Sequence, residues 1–157
     1  MVKRIVLWVL VISCMSTIFI FSHQSAEVSH DLSNTLLYKI LDTVGVFNDM
    51  QKSARIEAAE FLHFLLRKLA HFSIYAFLGM LVYLLMRSGY EIKNALSLTF
   101  APVVCVVYAI SDEVHQLYIP GRSGEVRDVL IDTAGAAVGI LITATVYILL
   151  QRRRKNG

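Results

Sequence analysis

With 157 residues of which 56% are hydrophobic and 17% charged, and a mean hydropathy of +0.60, the chain is more apolar than a soluble domain of this size needs for its core. Its net charge of +3 does not mark a nucleic-acid binder, because the basic residues flank apolar runs and form no patch interleaved with aromatics. These features exclude a soluble enzyme and predict an all-α, polytopic membrane protein: a four-transmembrane-helix bundle in one domain over residues 1–157.

Four runs lie near the ~17–25 apolar residues that cross a bilayer as helix: about 5–21, 69–86, 95–111 and 129–150. The first follows Lys3 and Arg4 and has the basic start of a signal peptide. Its apolar stretch is longer than the usual ~7–15 residues and no Ala-x-Ala-like cleavage site follows Phe21, so it reads as an uncleaved helix. In the long connection that comes next, Val28, Leu32, Leu36, Ile40 and Val44 recur every four residues with Leu37 and Leu41 beside them. That spacing predicts an amphipathic helical loop lying on the extracytoplasmic leaflet, with Gly45 as its stop. Ala54 to Leu66 is again helix-forming and is expected to run through Arg67 and Lys68 into the second span. The third run is short, but its helix can continue past Ser111 toward Tyr118 until Pro120-Gly121 forces a turn. Tyr118 and Ile119 suit an interfacial anchor.

Orientation follows from the short flanking segments. Lys3 and Arg4, Arg87 and Lys93, and Arg152 to Lys155 supply eight of the fifteen basic residues and share one side, which the positive-inside rule makes cytoplasmic. A cell-membrane protein with several passes and both termini inside is expected. Cys14 and Cys105 fall within spans, where small apolar fillers are a better reading than a disulfide.

The polar residues that remain are unusually placed. Lys68, His71, Tyr75 and Gly79 share a face of the second helix; Tyr108, Asp112 and His115 share one on the third, with Gln116 adjoining. Asp128, Asp132, Gly135 and Gly139 do so on the fourth. All sit at the outer end of their spans, level with Ser22, His23 and Gln24 at the end of the first. Gly135 and Gly139 form a small-xxx-small pair that lets a neighbouring backbone approach and draws Asp132 inward. Arg122, after the turn, is aimed back over the bundle, and its planar fork suits a carboxylate or phosphate. Ionisable groups so close to hydrocarbon are costly, which makes the cluster a candidate functional site.

Several chemistries are open to it. Arg122, Arg67 and Lys68 would bind an anionic group, with Ser22, Gln24, His71, Gln116 and Asp128 completing a polar pocket. His71, Asp112, Glu113, His115 and Asp132 are the candidates for acid/base catalysis. His71 and His115 with the carboxylates also supply ligand types for zinc or another divalent ion. There is no His-Glu-x-x-His and no paired-cysteine motif, so no metal is assigned and no cofactor is expected. A buried interhelical network that merely fixes packing is the structural alternative. His30 and His63 read as surface or helix-face residues.

The blocks Phe21-Ser22-His23-Gln24, Arg67-Lys68-Leu69-Ala70-His71-Phe72, Tyr75 with Leu78-Gly79, Ser111 to Gln116, Pro120-Gly121-Arg122, Asp128-Val129 and Asp132 with Gly135 occur in order along nearly the whole chain. In these blocks the chain resembles the VanZ-like family of bacterial membrane proteins, named for an accessory protein of glycopeptide-resistance clusters and associated with teicoplanin resistance. The resemblance implies a multi-pass protein of the cell envelope. The reading adopted is a pocket that binds membrane lipids or a lipid-linked envelope precursor and so contributes to glycopeptide resistance. A membrane-embedded hydrolase or transferase acting on such a lipid is the alternative, and a small proton-coupled carrier a weaker one.

Overall fold

The structure, a computed structural model, describes residues 1–24, Thr43 and residues 51–156. The amphipathic stripe expected from Val28 to Val44 lies outside the described residues. Four long helices account for most of the rest: α1 (Val2–His23), α2 (Lys52–Leu84), α3 (Asn94–Gln116) and α4 (Val126–Asn156). A π-helical turn, Leu85–Gly89, ends α2. All four helices are long and apolar enough to cross a membrane, and no strand occurs among the described residues.

The helices outrun the apolar spans on which they are built. Ala54 to Leu66 and the second span form one continuous helix, as the helix-forming composition of that segment led one to expect. At 1.5 Å per residue, α2 is about 50 Å long against a hydrocarbon layer of roughly 30 Å. Phe61, Leu65 and Leu66 on its overhanging part stay exposed among the described residues.

Each helix buries one stripe. On α1 it is Leu7, Val11, Cys14, Ile18 and Ser22; on α3 it is Ser97, Ala101, Cys105, Ala109, Asp112 and Gln116. Asp128, Asp132, Ala136, Ile140 and Ala144 repeat the spacing on α4. The apolar members form the core with Tyr75, Leu78 and Val82 of α2 and Leu85 of the π-helical turn, and the outward faces are apolar as well, as lipid demands. Every stripe becomes polar at the same end of the bundle.

The tightest seam joins α2 to α4. A Cβ placed on Gly135 or Gly139 would collide with the carbonyl oxygen of Phe72 or Ala76, and one on Gly79 with that of Ala136. Glycine is therefore required here by backbone proximity, and dispersion contacts replace side-chain packing. α1 packs on α2 and α3, and α4 packs on the same two, but among the described residues no Cα of α1 comes within 8 Å of one of α4. The helices alternate in direction. At one end Trp8 Nε1 donates to Tyr90 Oη at 3.0 Å, and Tyr83 Oη donates to Asn94 Oδ1 at 2.6 Å. There Arg4 lies 5.1 Å over the Tyr90 ring and Arg87 lies 4.9 Å over that of Tyr147. The other end carries the ionisable cluster.

Candidate functional site

The deepest part of the cluster draws one residue from each of three helices. His71 of α2, Asp112 of α3 and Asp132 of α4 each offer a ligand-type atom, and these atoms lie within 4.8 Å of one another. Asp132 is fully buried and Asp112 is 3% exposed. His71 Nδ1 stands 3.5 Å from Asp132 Oδ1, the outer limit of a hydrogen bond. Ser22 Oγ donates to Asp112 Oδ2 at 2.8 Å, and Gln116 Nε2 reaches the same oxygen at 3.5 Å. Asp112 Oδ1 and both oxygens of Asp132 have no hydrogen-bond partner among the described residues. Tyr75, one turn from His71 on the same face, is fully buried with its hydroxyl equally unpartnered.

Around this centre the other charges are satisfied. Lys68 donates to Asp128 Oδ1, and Arg67 lies 3.9 Å from Asp128 Oδ2 with 39% of its side chain exposed. Asp128 sits in the first turn of α4, where the helix dipole favours a negative charge. Glu113 accepts from the Glu125 backbone N–H at 2.8 Å and from Gln116 Nε2 at 3.2 Å, which ties α3 to the start of α4.

Arg122 reaches α1. The Pro120-Gly121 turn, with Gly121 at φ 75° and Arg122 N–H donating to Ile119 O at 3.1 Å, is the type that needs glycine at its third position. It sends the guanidinium to Gln24 O at 2.9 Å, Phe21 O at 3.2 Å and Gln116 Oε1 at 3.4 Å. Gln24 O, just past the C-terminus of α1, and Phe21 O, which also accepts from Gln24 N–H at 3.4 Å, are thereby capped. Partial burial lowers the pKa of Arg122, with the nearby Arg67 adding to this, while Asp112, Glu113 and Asp128 oppose it.

The structure gathers the expected residues into two groups. Ser22, Arg67, Lys68, His71, Asp112, Glu113, Gln116, Arg122, Asp128 and Asp132 form one connected site, to which Gln24 contributes its backbone carbonyl. His115 belongs elsewhere. Its Nε2 is 3.2 Å from His23 Nδ1, and its ring stacks on Phe19 with centroids 4.6 Å apart. The reason is angular: three residues along a helix turn about 300°, so His115 faces α1 while Asp112 faces the core. His63, read from sequence as a surface or helix-face residue, is buried. Tyr118 is exposed as an interfacial anchor would be, whereas Ile119 beside it is buried. Tyr75 is legible in the sequence as a member of the α2 stripe, by its spacing from His71, and as part of a block that carries the family resemblance.

This distribution of paired and unpaired groups accompanies a match along most of the sequence. The chain belongs to the VanZ/LLP1 family. The family model matches residues 7–149, which reaches into all four helices and includes every residue of the site. No curated protein and no solved structure matches the chain. Membership and four apolar helices make this a multi-pass membrane protein.

Proposed function

We infer that this VanZ/LLP1 chain binds the polar head group of an envelope lipid or lipid-linked envelope precursor at the cluster end of the bundle. The observation that carries this is the exposure of Arg67: among the site's cations it alone combines a loose partner, 3.9 Å away, with a side chain 39% exposed. It stands beside Lys68 at the rim, above a floor of carboxylates and imidazole. A guanidinium placed there can grip a phosphate at two points. Lys3, Arg4, Arg87, Lys93 and Arg152 to Arg154 gather at the opposite end, which supports placing the cluster toward the outer leaflet and both termini in the cytoplasm. Sequestering an envelope component there would alter wall assembly, and glycopeptide sensitivity of the teicoplanin type is one phenotype that would follow.

Native mass spectrometry of the purified chain, offered a polyprenyl phosphate and a neutral lipid, tests the reading. Wild type should retain the phosphate lipid, and Arg67→Gln should retain about tenfold less, the scale of one charge-assisted contact pair. Equal retention of both lipids by wild type, or of the phosphate lipid by both proteins, would sink it.

The unpaired atoms of Asp112 and Asp132 beside His71 favour a second reading, a hydrolase or transferase acting on the bound lipid. Release of head group or phosphate during incubation separates turnover from binding alone.

A further inference from the structure

We propose that His71, Asp112 and Asp132 form a binding site for a divalent transition-metal ion of the Zn2+ or Mn2+ class. Two carboxylates and an imidazole from three helices converge within 4.8 Å in the interior of the bundle. Of their oxygens, both of Asp132 and one of Asp112 are buried and make no hydrogen bond among the described residues, and His71 Nδ1, 3.5 Å from Asp132 Oδ1, makes none either. So many unused lone pairs in one place are expensive to bury.

Charge sharpens the argument. Two buried carboxylates this close repel, and a protonated His71 could cancel only one of them. The neighbouring cations are committed elsewhere: Lys68 to Asp128, and Arg122 to Phe21 O, Gln24 O and Gln116. A divalent ion neutralises both carboxylates at once and takes the free lone pairs. Glu113 and Asp128 are excluded from the ligand set because each already has its partners.

The surroundings are those of a ligand set held in place. Ser22 and Gln116 hold Asp112 Oδ2, leaving Oδ1 free, as outer-shell donors do for metal-binding carboxylates. The glycine seam fixes α2 against α4, and so fixes His71 relative to Asp132. One nitrogen and two carboxylate donors suit a borderline ion such as Zn2+ or Mn2+. Ligands around a tetrahedral ion with bonds of about 2.1 Å stand roughly 3.4 Å apart, so an ion would draw the three side chains slightly inward. Three protein ligands leave a coordination position open, and Tyr75, one turn from His71 on the same face of α2, has a buried hydroxyl with no partner among the described residues. The site goes beyond the head-group reading and does not depend on which lipid the rim takes.

The full chain, purified in detergent through a histidine-free tag and stripped with chelator, is titrated with Co2+, Zn2+ and Mn2+. Bound metal is counted by mass spectrometry, Co2+ is followed by its visible spectrum, and thermal unfolding is recorded with and without ion. Wild type should take up about one ion per chain and be stabilised by it. Asp132→Asn and Asp112→Asn should each lose affinity by at least about tenfold, while Asp128→Asn, altered in a neighbouring carboxylate, should keep it. Should Asp132→Asn fail to accumulate, His71→Gln, at a partly exposed position, carries the same expectation. The proposal is overturned by wild type that binds no ion at micromolar concentration, by Asn variants that bind as wild type does, or by equal loss in Asp128→Asn.

Discussion

At the scale of single residues, the site divides into side chains that hold the fold and side chains left with valence to spare. Arg122 illustrates the first kind. Its sequence position after a turn suggested a ligand contact, and three of its five N–H donors go to Phe21 O, to Gln24 O just past α1 and to Gln116. Arg122→Gln should lower stability by about 1–3 kcal/mol, because half-buried carbonyls lose charge-assisted donors. Arg122→Lys should restore little, since one ammonium cannot serve acceptors spread along a planar fork. Thermal unfolding in detergent measures both, and wild-type stability in Arg122→Gln would contradict the capping role. Which cation meets which carboxylate was not legible in the sequence, because a few tens of degrees of helix rotation decide it. The convergence itself was legible: Ser22, Asp112 and Asp132 each extend a stripe whose apolar members mark the buried side.

At the scale of helices, hydropathy located all four spans but underestimated their lengths. The charged residues that end each apolar run do not end the helix. Lys68 and Asp128 neutralise each other across α2 and α4, so both helices continue through positions that would otherwise need water. The small-xxx-small pair on α4 pointed to close packing, while its partner could not be read: Phe72 and Ala76 are met through their carbonyls, which no side-chain pattern reveals. Gly139→Leu should force α2 and α4 apart, at a cost of about 1–3 kcal/mol or more for overpacking. A lowered unfolding temperature together with lost metal uptake is expected; an unchanged unfolding temperature would show that the seam is not as close as described.

For the whole molecule, alternation of helix direction places the cluster and the basic flanks at opposite ends. The same four stripes therefore build a dry core through most of the thickness and a polar end. The outer-leaflet placement can be read from labelling. Tyr118, 80% exposed near the cluster end, should react as Tyr118→Cys with a membrane-impermeant maleimide added to intact cells, and Lys3→Cys should react only after the membrane is opened. Native Cys14 and Cys105 are buried and give little background. Labelling in the reverse order would turn the molecule over and place the site on the cytoplasmic face.

The separation of α1 from α4 has a mechanical consequence. Among the described helices, α1 is the leaf that can swing without breaking the glycine seam, and a swing of its C-terminal end would part Ser22 from Asp112 and Arg122 from Phe21 O and Gln24 O. Ser22 would then leave Asp112 Oδ2 to Gln116 alone. Access to the buried cluster and a change in its donor power would thus be a single movement, with Ser22 and Arg122 together as the latch.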